Sequence, residues 1–388
     1  MLRLSAGLVY LSIAAGFLVA QSHAPSTATE ASTAESGRLI SLDAQNLVLM
    51  NAGGKQRKLP LQPFTSLRRF GEPGAAPEEF QPGEQVRVTV SNGVVEQVSD
   101  EISDQIARKQ PHRVVSQDRE QYRFTVEPVD GATGTPQGER QTLGYGRPTF
   151  LVQRESPQFV FRVVEGARFW INRGAAAEGP DLVAREVLDD ASRDRFARQQ
   201  RLRTLARLEV NGAPARVLTV GATSTVQLGP DATAWGLRLK SGERVRVSDP
   251  AKPEGAQTTL LVADPMGKPP MLQLQGALLG LRAGSSVRVT SVRDRVSFQR
   301  DVEPILQVNC LPCHGGRGAS GYSITDPVRL RAGGPRGKGI VPGKSSESLL
   351  YLTMTGEQNP RMPPDRDATR EQLELLKRWI DAGASVEP

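Results

Sequence analysis

Cysteine and histidine are scarce in this chain of 388 residues, which contains two cysteines and three histidines. Both cysteines and one histidine lie together in the stretch NCLPCHGGRG, as Cys310, Cys313 and His314. A structural zinc site needs four ligands, and no second Cys or His pair is present to complete one. A disulfide between the two cysteines would close a loop too small to add much stability. The scarcity therefore argues against both structural uses of the motif.

Aromatic residues are also few, at 5% of the chain, whereas glycine and proline number 38 and 28. Together with the length, this composition predicts two to four small, turn-rich domains rather than one large enzyme core. The net charge of +7 is spread along the chain without a dense basic run. We therefore expect a mildly basic, solvated surface and no nucleic-acid partner. The alternative is a basic face toward an anionic partner or a membrane.

Long uncharged runs are absent except at the N-terminus. There an apolar stretch over residues 4–20 is followed by Ser22 and Ala24, at the spacing of a signal-peptidase site. We interpret residues 1–24 as a signal peptide or N-terminal anchor, and residues 25–37 as a flexible spacer. An uncleaved apolar stretch of this length is at the short limit for a membrane tether. Both cases predict export, to the periplasm or to the outer face of the cytoplasmic membrane.

Short strands separated by Gly-containing turns dominate the sequence that follows. Val-Arg-Val alternation recurs in PGEQVRVTV from Pro82, SGERVRVSD from Ser241 and AGSSVRVTS from Ala283. This alternation places the valines on one face of a strand and the arginines on the other. The pattern predicts small barrels or sandwiches: a small β-barrel domain over residues 38–110 and one or more β-rich domains over 208–296.

Between these parts, residues 111–207 predict an α+β domain with a helical insert near 180–207, where apolar residues recur loosely at helical spacing. Stretches rich in Gly, Pro and Gln at residues 130–148 and 249–257 indicate linkers. His112 lies in polar sequence, and we interpret it as an ordinary surface residue. No catalytic constellation is apparent in the β-rich sequence.

Residues 297–388 change from strand to helix character. Apolar residues at helical spacing precede the cysteines. A second helix is marked by a capping-box pair, Thr369 and Gln372, and by Gly383 at its C-terminal end. A long Gly/Pro-rich connection separates the two helices. A loop of that length in a compact domain needs something to fold around, and a haem would supply it.

The Cys-x-x-Cys-His motif has three interpretations: a redox dithiol, half of a zinc site, or a covalent haem anchor. A redox dithiol would begin a helix after a buried strand in an α/β fold, but the residues before Cys310 predict a helix. Covalent haem attachment needs two thiols and an imidazole next to the second, which the motif supplies. With the export signal, the motif favours one covalent haem c, attached through Cys310 and Cys313, with iron bound by His314.

A sixth iron ligand is predicted from the methionines downstream. Met354 lies in the apolar helical run SLLYLTMTG, where a methionine is expected to fill the core. Met362 lies in NPRMPPDR, an apolar residue in a polar loop with two prolines behind it. Prolines fix the backbone, which suits a side chain held against iron. We therefore favour Met362 as the distal ligand over Met354.

Four segments, FQRDVEPILQVNCLPCH, IVPGKSSESLLYLTMTG, RMPP and LLKRWIDAGA, resemble the monohaem cytochrome c domains common in planctomycetes. The resemblance covers about residues 297–388 and implies an all-α, class I cytochrome c-like C-terminal domain after a mainly β N-terminal region. It also implies roles for five residues: covalent haem attachment for Cys310 and Cys313, proximal and distal iron ligation for His314 and Met362, and a place on the proximal haem face for Pro342.

These features predict an exported c-type cytochrome that transfers electrons through His/Met-ligated iron and has no substrate chemistry of its own. Its expected partners are redox proteins of the periplasm or membrane. Two alternatives stay open. One is a haem-containing subunit of a periplasmic oxidoreductase or peroxidase. The other is a cell-envelope interaction protein in which the β domains are the working part and the haem module is an accessory.

Overall fold

The computed structural model describes residues 32–146, 149–158, 161–175, 182–293, 295–314, 322–324 and 326–386. The predicted signal peptide or anchor, residues 1–24, lies outside the described residues, as does the first part of the predicted spacer. None of the helices in the described part of the chain combines the length and the apolar character needed to cross a membrane.

The first sheet has six strands in the order β2-β1-β5-β6-β3-β4. Its strands are β1 Thr33–Leu42, β2 Asn46–Met50, β3 Gln56–Arg69, β4 Glu72–Pro73, β5 Gln85–Ser91 and β6 Val94–Asp100. Strand β2 also pairs with β3, which closes the sheet into a small barrel. In β5, Val86 and Val88 are buried and Arg87 between them is half-buried, as the Val-Arg-Val alternation predicts.

A second sheet follows a short helix, α1 Glu101–Arg108. Its seven strands lie in the order β11-β10-β13-β12-β7-β8-β9: β7 His112–Asp118, β8 Arg123–Pro128, β9 Gln141–Gly144, β10 Phe150–Gln153, β11 Ser156–Pro157, β12 Arg168–Ala175 and β13 Leu182–Leu188. An additional parallel pairing joins β13 to β9 at Val183 and Gly144. The N-terminal region is therefore mainly β.

A third sheet, which forms a closed barrel, comes after the long helix α2, Asp190–Asn211. Its strands are β14 Ala213–Thr219, β15 Thr223–Leu228, β16 Arg244–Asp249, β17 Lys252–Asp264, β18 Met271–Gln275 and β19 Ser286–Ser291, with the short helix α3 Thr233–Gly236 between β15 and β16. The other two Val-Arg-Val stretches form β16 and β19, again with the valines buried.

The C-terminal region is helical. A π-helical turn, Phe298–Val302, runs into α4 Glu303–His314, and α5 Pro327–Ala332, α6 Leu349–Thr355 and α7 Arg370–Asp381 follow. Thr369 and Gln372 form the predicted capping box at the start of α7. The indole of Trp379 packs on Phe298 with ring centroids 5.1 Å apart. Gly383 ends the helix with a φ of 100°.

Helix α2 connects these parts, because its residues enter several cores. Phe196 packs with residues of the first two sheets, Ala206 lies in the core of the C-terminal helices, and Leu208 lies in the core of the closed barrel formed by the third sheet. Its other buried side chains are all polar: Ser192, Arg195, Gln199, Gln200, Arg203 and Thr204. The helix therefore packs through hydrogen bonds and ion pairs as much as through hydrocarbon.

The predicted helical insert near 180–207 is wrong at its start. Residues Leu182–Leu188 form strand β13, which lies between β10 and β12, and the helix begins only at Asp190. Asp189 separates the two elements by capping the helix, since its Oδ1 accepts the backbone N–H of Ser192 at 2.9 Å. The apolar residues of this segment fit the spacing of a helix as well as that of a buried strand. The segment forms a strand because it pairs with a neighbouring strand on each side.

Both predicted linkers contain strands. Residues 130–148 include β9. Residues 249–257 contain the end of β16, the turn and the first half of β17, with Asp249 opposite Lys252. The spacer over 25–37 also ends early, because β1 begins at Thr33 and pairs with β5. Gly and Pro mark turns within a sheet as well as linkers between domains, so composition alone overestimated the connections.

His112 is buried rather than on the surface, with 7% of its area exposed. It begins β7, opposite Pro128 on one neighbouring strand and Phe169 on the other. Burial, with a smaller effect from the Arg173 charge, lowers the pKa of His112 to about 4 from its usual 6.5. The imidazole is therefore neutral in the folded protein at physiological pH.

We expect the protein to lose stability as the pH falls from 7 to 4, because only the unfolded chain then protonates His112. The unfolded state binds more protons throughout this range, so the free energy of unfolding decreases by up to about 3 kcal/mol from this residue. The check is urea unfolding of wild type and His112→Gln at several pH values. The variant should show a shallower decline. Equal slopes in the two proteins would contradict the assignment.

Candidate functional site

The Cys-x-x-Cys-His motif closes helix α4. The helical segment begins at Ser297, whose Oγ accepts the backbone N–H of Arg300 at 3.4 Å. The apolar side chains that precede the cysteines are all buried, as their spacing predicts: Phe298, Val302, Ile305 and Leu306. This buried face carries Cys310 into the protein with 8% exposure, whereas Cys313 is exposed.

A cavity of about 140 Å³ lies beside the end of α4. It is lined by three of the four predicted site residues, Cys310, His314 and Met362, and also by Met354. The rest of its lining is mainly apolar or glycine: Tyr322, Gly333, Gly334, Pro335, Arg336, Gly339, Leu349, Leu350, Thr353 and Pro360. The structure thus brings residues that are far apart in the sequence to one cavity.

His314 is half-buried at the C-terminal end of α4. Its ring meets that of Tyr322 edge to face, with centroids 5.5 Å apart, and its backbone oxygen accepts the N–H of Ile324 at 3.1 Å. The buried Nδ1 of His314 has no hydrogen-bond partner within the described residues. A buried polar atom without a partner costs free energy. The imidazole therefore has a nitrogen that the described protein atoms leave without a hydrogen bond.

Two groups at the cavity are kept neutral by burial. Burial raises the pKa of the Cys310 thiol to about 12. Burial also raises the pKa of Tyr322 well above its usual range, with a smaller effect from Cys310. Cys310 and Tyr322 therefore contribute a neutral thiol and a neutral hydroxyl to the cavity wall.

The two methionines come from neighbouring segments. Met354 lies on α6 with 1% exposure, and Met362 is half-buried in the loop that follows. The backbone N–H of Met362 donates to the carbonyl of Thr353 at 3.0 Å, which ties the loop to the helix. Both side chains reach the cavity wall, and Met354 is the more deeply packed.

A glycine-rich loop forms another part of the lining. Gly333 has a φ of 81°, and a Cβ there would lie 2.0 Å from the oxygen of Gly337; a Cβ on Gly339 would lie 2.2 Å from the oxygen of Leu330. Only glycine fits such close backbone approaches. The sequence AGGPRGKG contains these glycines, but as a pattern it predicts only part of a long connection.

Pro342, which the family resemblance places on the proximal face, is exposed and is not among the lining residues; Pro335 and Pro360 line the cavity instead. Tyr322 and Arg336 also line the cavity, and the sequence did not predict either of them as a site residue. Neither belongs to a motif, and only the folding of the connection brings them to the cavity.

The described residues contain no group of three or more His, Cys, Asp or Glu side chains arranged to hold a metal ion. The site instead offers one imidazole, one thiol and two thioethers around a mainly apolar cavity, and the second thiol, that of Cys313, is exposed on the same helix. Such a set suits a large, mainly apolar prosthetic group with its own metal better than it suits a bare ion, which needs several protein ligands.

Comparison with known families gives a match in this region. Residues 310–366 match the model of the planctomycete cytochrome C family. The matched segment contains Cys310, Cys313, His314, Met354 and Met362, and the family resemblance drawn from the C-terminal motifs is confirmed. The β-rich region lies outside the match.

No curated protein matches the chain significantly. A similarity to the solved structure of Drosophila Unr CSD456 covers 68% of this chain and 97% of that chain at 9% sequence identity, with a TM-score of 0.15. A TM-score this low carries no argument about fold or function.

We expect Met354→Ala to lower the free energy of unfolding by roughly 2–5 kcal/mol, because the side chain is fully buried and its loss leaves a cavity. A matched control is Met266→Ala, since Met266 is 69% exposed; its cost should stay within about 0.5 kcal/mol. Denaturant unfolding of both variants measures the difference. Similar costs for the two would show that Met354 is not a core residue.

Proposed function

We propose that the chain is an exported c-type cytochrome whose C-terminal region holds one covalent haem and transfers electrons through iron bound by His314 and Met362. The observation that carries the proposal is the meeting of Cys310, His314 and Met362 at one cavity, inside the segment that matches the planctomycete cytochrome C family. We further propose that the C-terminal helices form a class I cytochrome c-like domain.

The residues at the cavity fit a haem. The thiols of Cys310 and Cys313 would form thioether bonds to its two vinyl groups, and the imidazole of His314 and the thioether of Met362 would bind its iron. When bound there, the haem supplies an iron that accepts and returns one electron. The unpartnered Nδ1 of His314 and the apolar, glycine-lined wall are the features that support this fit.

The protein's own residues would then set the properties of the site. The cavity-lining leucines and the methionine of α6, with Pro335 and Pro360, would exclude water from the cavity, and a dry site limits reorganisation during electron transfer. A methionine thioether is a soft ligand that raises the potential of iron. Tyr322, against the ring of His314, restricts the orientation of the imidazole.

We propose that redox proteins of the periplasm or membrane are the partners. Residues 1–24 would direct export, and residues 4–20, if retained, would tether the protein to the outer face of the cytoplasmic membrane. The composition of this segment supports these proposals. The role proposed for the protein is electron transfer without substrate chemistry of its own.

Covalent attachment predicts that haem stays with the chain after denaturation. Protein expressed with export and haem maturation should keep peroxidase-active haem stain on a denaturing gel, and its mass should exceed that of the bare chain by one haem. Replacing Cys310 and Cys313 together by alanine should abolish the stain. Leu311→Ala is the control, because Leu311 lies between the cysteines on the exposed side, and it should keep the stain. Haem that is extracted from the wild type by acid acetone would contradict covalent attachment.

The sixth ligand is tested by the weak sulfur-to-iron charge-transfer band in the far red of the oxidised protein. Met362→Ala should lose this band, lower the reduction potential and allow cyanide or carbon monoxide to bind, because the iron then lacks its thioether. Met354→Ala should keep the band. A band that survives Met362→Ala and disappears in Met354→Ala would assign the ligand to the other methionine.

A further inference from the structure

We propose that helix α2 of the β-rich region positions the sixth iron ligand, through a buried ion pair between Arg195 and Asp365 that holds the Met362 segment in place. The inference rests on the proposed function and extends it, because α2 lies outside the family match at residues 310–366. Arg195 is a positioning residue, since it is not among the residues that line the cavity.

Arg195 is buried in α2 and bridges two segments of the C-terminal region. Its Nε donates to the carbonyl of Val308 at 3.2 Å, and its Nη1 forms an ion pair with Asp365. Nη1 also donates to the carbonyl of Glu155 at 2.8 Å. Val308 lies two residues before Cys310 and Asp365 three residues after Met362. One guanidinium therefore joins the helix of the haem anchor to the loop of the distal methionine.

Asp365 depends on this contact. Its side chain is 1% exposed, and no other salt bridge to it occurs within the described residues. Its Oδ1 is buried without a hydrogen-bond partner there. A buried carboxylate left without its counter-charge is strongly unfavourable. The loop is therefore held at the position where Asp365 pairs with Arg195.

The next two residues are attached to the β-rich region as well. Arg366 forms an ion pair with Glu186 of β13, and its guanidinium lies 4.5 Å from the ring centre of Phe196 on α2. Arg203 of α2 donates to the carbonyl of Asp367 at 2.6 Å. Three consecutive residues of the loop thus contact α2 or β13, and Asp367 also pairs with Arg361 of the same loop at 2.9 Å.

The connection from this anchor to the methionine is short and stiff. Only Pro363 and Pro364 separate Met362 from Asp365, and proline rings restrict the backbone. On the other side, the N–H of Met362 is held by the carbonyl of Thr353. A displacement of Asp365 would therefore shift Met362 instead of being absorbed between them.

Helix α2 also contacts the wall that carries the haem anchor. Gln199 donates its Nε2 to Oδ1 of Asn309 at 3.0 Å, and Nδ2 of Asn309 donates to the carbonyl of Ile305 at 2.7 Å. Asn309 is the neighbour of Cys310 in the sequence. Helix α4 and the Met362 loop, which form two walls of the cavity, are thus both bonded to α2. This common attachment fixes the distance between them.

The test uses the full-length, haem-loaded protein and two spectroscopic readouts: the far-red charge-transfer band of the oxidised form, and the rate of cyanide binding. Arg195→Met should weaken or remove the band and speed cyanide binding by roughly tenfold or more, as expected when a residue that orients a metal ligand is lost. The double variant Arg195→Met/Asp365→Leu removes both charges and should have the same effect. It leaves no unpaired buried charge, so it separates loss of position from loss of folding.

Matched variants complete the design. Arg201→Met is the control on the same helix, because Arg201 is exposed and pairs with Glu72 at 2.6 Å, away from the C-terminal region; its band and cyanide rate should be those of the wild type. Asp365→Asn keeps the side-chain volume and removes only the charge. It carries the same expectation as Arg195→Met, so a folding failure of the arginine variant does not end the test.

The outcomes separate this inference from the function on which it rests. A wild type without haem stain or without the charge-transfer band would overturn the proposed function. A wild type with the band, together with haem-loaded Arg195→Met/Asp365→Leu and Asp365→Asn variants that keep the wild-type band and cyanide rate, would overturn the positioning role alone. Loss of the band in the Arg201→Met control would also overturn it, since the effect would then be general to the helix.

Discussion

Helix α2 buries arginine and glutamine side chains between several parts of the protein, and buried polar groups are tolerated only when they are paired. Each neighbouring part must therefore supply a partner at a defined place. Glu79, which follows the first sheet's short strand β4, accepts from Gln200 at 3.1 Å; Asn309 accepts from Gln199; and Asp365 pairs with Arg195. Apolar packing alone would permit sliding between the parts. Directional hydrogen bonds and ion pairs prevent such sliding. They hold the β-rich region and the C-terminal helices in one relative position.

The same physics appears around Arg69, which is fully buried between the first two sheets and the C-terminal loop. Its Nη2 lies 3.1 Å from Glu186, which also pairs with Arg366. Burial opposes the ionisation of Glu186, but the charges of Arg366 and Arg69 outweigh it and lower its pKa to about 2. At Asp100, next to the same arginine, burial dominates and the pKa is raised. The cluster joins residues from three regions of the sequence, and like the contacts of α2 it specifies position more than it adds net stability.

The chemistry of the candidate site was predictable because it resides in local patterns. Cys310, Cys313 and His314 are adjacent in one helix, so their spacing alone indicates what they can bind, and the family match supports that interpretation. The strands with Val-Arg-Val alternation and the capping box of α7 were predictable for the same reason. Strand β13 was not, since a segment with apolar residues on both faces fits a helix or a buried strand until its neighbours are known.

The sequence by itself determined the composition of the site: which thiols, which imidazole and which two methionines are present, and the local helices and strands that carry them. It did so because short-range spacing and periodicity depend only on neighbouring residues. Tertiary structure alone decided that Tyr322 and the glycine loop complete the cavity, that His112 is buried, and that Arg195 lies between helix α4 and the loop that carries Met362. Those contacts join residues far apart in the chain, and a polar side chain in a sequence looks the same whether water or a buried counter-charge will be its partner.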